Sequence, residues 1–283
     1  MDWEDRPESQ NVDDQRGLGR QAGLAIGGLG GIVLVILAII FGVDPRQFLG
    51  RGPGANAPRD HVANPEEERQ AHFAKVIFGD TEVVWTRQFE QMGLTYRKPT
   101  LVLFTGQVRS ACGRASAAVG PFYCPADARV YLDLSFFREM EQKLHAPGEF
   151  ARAYVIAHEV GHHVQKLLGY TQLVDDARGS VSKEQTNRMS VRLELQADYL
   201  AGVWAYHGQQ EFHFLQPGDV RSALHAAFEI GDDRLQMEAR GYVVPDSFTH
   251  GTSKQRIRWF QQGFKTGNVE QARQLFDLPY NQL

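Results

Sequence analysis

The pattern of hydrophobic and polar positions divides the chain into four regions. Residues 1–21 are polar and show no apolar periodicity, which predicts a short mobile tail. Residues 22–43 are apolar and contain no charged side chain. Residues 44–65 are rich in proline and glycine, which is typical of a linker. In residues 66–283 apolar positions recur with helical or strand spacing, and this predicts one folded domain.

Residues 22–43 are long enough to cross a bilayer as one helix, which takes about 20 apolar residues. The Gly27-x-x-x-Gly31 spacing could let a second copy pack closely, so self-association through this segment is predicted. The alternative is a soluble or secreted protein from which the first 43 residues are cleaved. Signal peptides normally begin with basic residues and have a shorter apolar core, whereas residues 1–21 are acidic. We therefore expect a single-pass membrane anchor.

The first part of the folded region predicts a helix followed by a small sheet. Asn64-Pro65-Glu66 is a typical helix start, with a capping side chain, a proline in the first turn and acids near the positive end of the helix dipole. Apolar residues then recur with helical spacing to about Gly93. Compact apolar runs predict strands at 101–104, 119–123 and 130–134.

Two long helices are predicted after these strands. The first runs from about residue 148 to 168 and ends at Gly169, a residue that favours the helix C-terminus. The second runs from about 184 to 206, and the polar residues 170–183 between them are predicted to form a loop. Shorter helices are predicted at 219–230 and 253–264.

The first long helix contains the pattern H-E-x-x-H, formed by His158, Glu159 and His162. Histidines four residues apart share one face of a helix, so both imidazoles can reach a single ion. Glu159 is the only charged residue between Val155 and Val164, and the apolar residues around it predict that this segment is buried. Two nitrogen ligands with a carboxylate beside an open position are what a zinc hydrolase needs. By itself, the short pattern also occurs by chance in unrelated chains.

The second long helix offers a third ligand for this ion. Glu194 and Asp198 lie four residues apart on an otherwise apolar helix. Because burying an unpaired carboxylate is costly, these acids need a partner. We assign Glu194 as the third zinc ligand and Asp198 as an acceptor for a ligand-histidine N–H, which would orient the imidazole. The alternative is an exposed pair of acids on the helix surface.

The two cysteines of the chain, Cys112 and Cys124, admit three interpretations. A disulfide between them would close a loop of feasible length, and it is favoured if the domain lies outside the cytoplasm. Inside the cytoplasm they would be ordinary thiols. Zinc ligation is the weakest interpretation, because the histidine helix already has a better third partner.

The charge balance excludes one class of partner. The net charge is −4, and six acidic against three basic residues in the first 21 account for −3 of it. The remaining residues therefore sit near −1 and show no concentrated basic region. Nucleic-acid binding is not expected, because it needs a concentrated basic face.

These motifs together resemble the gluzincin-type metallopeptidases, and among them the bacterial putative neutral zinc metallopeptidase family. The resemblance extends over about residues 1–265. Besides H-E-x-x-H and E-x-x-x-D, it is carried by short segments spread along the chain: Cys112-Gly113, Gly120 to Pro125, Val130 to Asp133, Ile230 to Gln236 and His250-Gly251-Thr252.

The resemblance implies an α+β zincin-like fold with a small sheet and active-site helices. In related gluzincins a late histidine donates to the tetrahedral oxyanion, and His250 is the candidate here. In thermolysin-like enzymes an edge strand binds the substrate backbone by adding it as an extra strand. Arg256, on the helix after His250, is predicted to pair with Asp232 or Asp233.

The sequence therefore predicts a membrane-anchored zinc metalloendopeptidase that acts on a peptide or protein substrate. One Zn²⁺ is held by His158, His162 and Glu194, and Glu159 is the general base. The disulfide interpretation favours a domain outside the cytoplasm. The alternative is a catalytically silent, membrane-bound scaffold with a structural zinc, although structural sites normally have four protein ligands.

Overall fold

The computed structural model describes residues 1–17, 64–116 and 120–283. The strands are β1 (Val12–Asp14), β2 (Thr100–Phe104), β3 (Gln107–Ser110), β4 (Gly113–Ser116), β5 (Phe122–Cys124) and β6 (Arg129–Asp133). The helices are α1 (Pro65–Gln91), α2 (Ser135–Gln142), α3 (Glu149–Leu167), α4 (Tyr170–Ala177), α5 (Lys183–Phe212), α6 (Asp219–Glu229), α7 (Asp232–Arg240), α8 (Ser253–Thr266) and α9 (Gln274–Asp277). Short 3₁₀ turns at 245–247, 270–273 and 280–282 complete the described part.

The main sheet has the strand order β1-β2-β6-β5. Strands β1, β2 and β6 are parallel, and β5 runs antiparallel to β6 with Tyr123 opposite Val130. Strands β3 and β4 form a separate antiparallel hairpin. The sheet and the surrounding helices make an α+β fold, as predicted.

The three central helices of the domain pack with unusually close backbones. A methyl group added at Gly161 of α3 would lie 3.1 Å from the Ala197 carbonyl oxygen on α5. A methyl group added at Gly202 of α5 would overlap the backbone of α8, and one added at Gly263 of α8 would overlap the backbone of α5. Glycine at these crossings therefore allows α3, α5 and α8 to approach, and this brings the polar residues of the three helices together.

The prediction of a mobile tail is wrong for residues 1–17. Strand β1 pairs with β2, and the Trp3 side chain is only 3% exposed. Polar residues hold the segment on α1: Arg6 pairs with Asp80 at 2.8 Å, and the Ser9 hydroxyl donates to Glu82 at 3.0 Å. Pairing through backbone amides needs no apolar periodicity, which is why the pattern gave no signal.

The predicted membrane segment, residues 22–43, and the linker up to residue 63 lie outside the described residues. Among the residues that the structure describes, no helix is both long and apolar enough to cross a bilayer.

Several predicted bounds differ from the structure. Asn64 caps α1 by accepting from the Glu67 amide, and α1 is one helix. Residues 170–177, predicted as a loop, form α4, and α5 continues to Phe212.

The hairpin of β3 and β4 was not predicted. Helix α4 and the hairpin are short elements without a long periodic signal, and their stability comes from packing on the rest of the domain.

Cys112 and Cys124 form a disulfide, as predicted. The bond joins the turn between β3 and β4 to the end of β5, across a sequence separation of 12 residues. The Cys124 side chain is fully buried, and Cys112 packs in the same small core cluster.

Replacing both cysteines by serine should lower the free energy of unfolding by about 3 kcal/mol, because the unfolded chain regains the entropy of the open loop. Urea denaturation followed by circular dichroism measures this change. Wild-type protein denatured with a reducing agent should shift by a similar amount. An unchanged midpoint in both experiments would contradict the prediction.

Candidate metal centre

Helices α3 and α5 bring the three predicted ligands together. His158 and His162 lie one turn apart on α3, and Glu194 faces them from α5. The His158 Nε2 atom is 3.2 Å from one Glu194 carboxylate oxygen, and the His162 Nε2 atom is 3.6 Å from the other. Among the described residues these three form the group whose ligand atoms all lie within 4.8 Å of one another.

This donor set fits zinc. Ligand atoms of a tetrahedral Zn²⁺ with bonds of about 2.0–2.1 Å stand roughly 3.3 Å apart. The measured separations of 3.2 and 3.6 Å are close to that value. Two imidazoles and one carboxylate leave a coordination position open, which is typical of catalytic rather than structural zinc sites.

The other ring nitrogen of His158 and of His162, Nδ1, is hydrogen-bonded to an acceptor that orients the ring. His158 Nδ1–H donates to Asp198 at 2.9 Å. His162 Nδ1–H donates to the Gln165 side-chain oxygen at 2.9 Å. A carboxylate and an amide oxygen can only accept, so both Nδ1 atoms carry a hydrogen, and Nε2 is the ring nitrogen that faces Glu194 and is left to bind a metal once it carries no proton.

Gln165 is a functional candidate that the sequence analysis missed. Its side chain is fully buried, accepts from His162 and donates to the Leu193 carbonyl on α5 at 2.5 Å. It therefore holds the His162 ring and ties α3 to the residue before Glu194. A glutamine three residues after a ligand histidine lies on the same helix face, and that spacing was the available signal.

Replacing Gln165 with leucine should weaken zinc binding by about 10–100-fold, because the His162 ring loses its acceptor. A competition titration with a chromophoric chelator at fixed pH measures the affinity. Gln236→Leu is a matched control, since Gln236 is also buried and bonds Ser247 and Val244 instead of a ligand. Equal losses in both variants would contradict the role of Gln165.

Asp198 belongs to a fully buried network. Besides His158, it accepts from the Tyr154 hydroxyl at 2.5 Å and from Arg256 at 2.8 and 2.9 Å. The predicted pairing of Arg256 with Asp232 or Asp233 is wrong. Arg256 lies on α8, and the close crossing of α8 with α5 places its guanidinium on Asp198.

Glu159 lies beside the ligands and is 9% exposed. The backbone N–H of Tyr123 in β5 lies near this carboxylate and favours its charged form. Burial raises the pKa of Glu159, while the neighbouring histidines partly oppose this rise. A carboxylate with a raised pKa is better suited to accept and return a proton near neutral pH.

His250 stands at the side of the centre, close enough to Glu194 for their charges to interact. Its Nδ1–H donates to Asp232 at 3.2 Å. Asp232 also accepts from the backbone amides of Thr249, His250 and Gly251, so one buried carboxylate shapes the whole turn. The His250 side chain is 26% exposed.

His163 does not join the centre, in agreement with its position on the helix. Burial lowers the pKa of His163 to about 4. Its Nε2–H donates to the Arg97 carbonyl at 2.6 Å, and Nδ1 accepts from the Tyr123 hydroxyl at 2.9 Å. The neutral ring therefore fixes Tyr123 of β5 against α3, beside Glu159.

Protons and metal compete for His158. Burial alone would lower its pKa, but the charge and hydrogen bond of Asp198 and the hydrogen bond of Glu194 raise the pKa to about 9. Metal-free His158 is therefore protonated at neutral pH, and a zinc ion that binds it would have to displace that proton.

Zinc affinity should consequently rise with pH up to about 9, by about tenfold per pH unit for one displaced proton. Calorimetric titration in buffers of different ionisation enthalpy counts the protons released. Constant affinity between pH 6.5 and pH 8.5, without proton release, would contradict the raised pKa of His158.

The fold and the centre define the class of protein: an α+β domain with an H-E-x-x-H helix and a third carboxylate ligand on a later helix. The family model described as "Putative neutral zinc metallopeptidase" matches residues 1–275, and the chain belongs to that family. The chain is 46% identical to "Uncharacterized protein YpfJ" of Escherichia coli K12 over 283 residues, which cover 96% of this chain and 98% of that protein. It is 39% identical to "Uncharacterized protein Rv2575" of Mycobacterium tuberculosis H37Rv over 252 residues, 82% of each chain. No solved structure matches the chain.

Proposed function

We propose that the protein is a zinc-dependent endopeptidase. The observation that carries this proposal is the convergence of His158, His162 and Glu194 beside the buried carboxylate of Glu159. Zinc bound by these ligands would supply a Lewis acid that activates water and polarises a carbonyl group. Glu159 stands where it can take a proton from the attacking water and return it to the leaving amine.

Two further groups support peptide hydrolysis. His250 lies close enough to Glu194 for their charges to interact, and an N–H of its ring could stabilise the developing oxyanion. Strand β5 ends the main sheet among the described residues and lies beside Glu159. An extended substrate backbone could add to this edge and place its carbonyl at the centre.

The proposal includes the location of the enzyme. The disulfide between Cys112 and Cys124 is favoured in an oxidising compartment, which supports a domain outside the cytoplasm. Residues 22–43 supply the apolar segment that would hold the enzyme at the membrane.

Incubation of the purified full-length protein with an unbiased peptide library tests the function. Cleavage should require one zinc ion per chain, stop with a chelator and return when zinc is added. The variant Glu194→Ala should lose both zinc and cleavage. A protein that binds zinc stoichiometrically and cleaves no peptide would instead be a scaffold, and the proposal would fail.

A further inference from the structure

Strand β5 is held in place on both of its faces. On one face the Phe122 ring stacks on Tyr131 of β6, with ring centroids 4.7 Å apart, and Cys124 is fixed by the disulfide. On the other face the Tyr123 hydroxyl donates to His163 of α3 at 2.9 Å. Because side chains alternate between the two faces of a strand, these contacts also fix the directions of the backbone groups. The strand therefore offers a rigid edge.

The backbone groups of Tyr123 point away from β6. In an antiparallel pair each residue directs its N–H and C=O to the same side, and neighbouring residues direct theirs to opposite sides. Tyr123 lies opposite Val130 in the register, but its backbone N–H lies near the Glu159 carboxylate of α3, so it does not bond β6. Among the described residues β5 is the last strand of the sheet. Tyr123 therefore turns its main chain to the outer edge, beside the proposed base.

Proline occupies the next outward-facing position on each side of Tyr123. Pro121 and Pro125 lie two residues before and after it, and residues two apart in a strand face the same edge. Proline has no backbone N–H, and its ring fills the place of that hydrogen. An added strand would find no donor at either position. Prolines of this kind are one of the means by which proteins prevent strands from pairing with a sheet edge.

Two further features close the ends of this edge. The Pro125 carbonyl accepts from the Lys166 ammonium group of α3, so that end is already engaged by the protein itself. At the other end Gly120 has a φ of +75°, a left-handed conformation through which a β-strand does not continue. The part of the edge that offers both a donor and an acceptor to an extended chain is therefore one residue long.

We propose that Pro121 and Pro125 are specificity-determining residues, which limit backbone pairing at the β5 edge to the one substrate residue opposite Tyr123. This inference rests on the proposed peptidase function. Lengthening a substrate along the edge adds no backbone pairing and hence no affinity. The substrate class is then a short or unfolded peptide segment, recognised next to the cleaved bond. Long β-strands of folded partners, including the same edge of a second copy, are excluded.

Peptide length and proline substitution together test the inference. The zinc-loaded Glu159→Gln variant is the background, so that bound peptide is not hydrolysed. A core peptide spans the bond that the wild type cleaves, and a second peptide carries the same core extended at both ends by alanine residues. Fluorescence anisotropy measures both dissociation constants. Pro217→Ala is the matched control, because Pro217 is exposed in the turn before α6 and away from β5.

With both prolines present, the core and the extended peptide should bind equally well. This comparison needs no further variant, so it stands even if a proline substitution disturbs folding. Pro121→Ala and Pro125→Ala each add a backbone N–H and should tighten binding of the extended peptide alone by about 2–10-fold, the effect of one hydrogen bond. The control should change neither constant.

Two results would overturn the inference while leaving the peptidase function intact. One is tighter binding of the extended peptide when both prolines are present. The other is folded proline variants, with an unchanged unfolding midpoint, that bind both peptides as the control does. A wild-type protein that cleaves no library peptide would refute the proposed function itself, and the inference with it.

Discussion

The variant Glu159→Gln should retain its zinc and lose about 10²–10⁴-fold in kcat/KM, the usual contribution of a general base. The amide has the shape of the carboxylate, so its neighbours, including the Tyr123 backbone in β5, should stay in place. It cannot take a proton from water at neutral pH. The loss should therefore appear in kcat, with zinc content and the unfolding midpoint close to wild type.

The measurement needs a substrate identified from the peptide library and metal analysis of the same samples. Glu229→Gln is a matched control, because Glu229 is also buried but pairs with Arg234 and takes no part in the centre. The control should cleave at the wild-type rate. If Glu159→Gln cleaves as fast as the control, Glu159 is not the base and another group must move the proton.

The grouping of His158, His162 and Glu194 was predictable because its sequence signals are local. His158 and His162 share a helix face by spacing alone. Glu194 was found because a carboxylate on an apolar helix needs a partner. The disulfide followed from having only two cysteines at a feasible spacing. None of these inferences required knowledge of how the helices cross.

The parts that were missed depend on tertiary contacts. Arg256 lies 58 residues after Asp198, and only the close crossing of α8 with α5 decides which acid it meets. Strand β1 is bound by backbone amides and by polar pairs such as Arg6 with Asp80, and neither produces a hydrophobic period.

Replacing Arg256 with methionine should lower the free energy of unfolding by about 3–5 kcal/mol, the usual cost of breaking a buried ion pair from one side. Arg256 is 2% exposed and makes two hydrogen bonds to the Asp198 carboxylate. Without it, Asp198 keeps its charge in the interior with only Tyr154 and His158 as donors. Arg258→Met, an exposed position on the same helix, should change stability by no more than about 0.5 kcal/mol.

A second substitution separates the charge effect from simple loss of packing. The double variant Asp198→Asn with Arg256→Met has no uncompensated carboxylate. Its free energy of unfolding should therefore be higher than the sum of the two single losses predicts. Zinc affinity should respond differently, because His158 then donates to a neutral amide and becomes a weaker ligand. One outcome is that the double variant regains stability while its zinc affinity stays low. That result would show that Arg256 acts on the centre only through the charge of Asp198. Strict additivity of both quantities would show that Arg256 and Asp198 act separately, and the buried network would then be packing without electrostatic coupling to the metal.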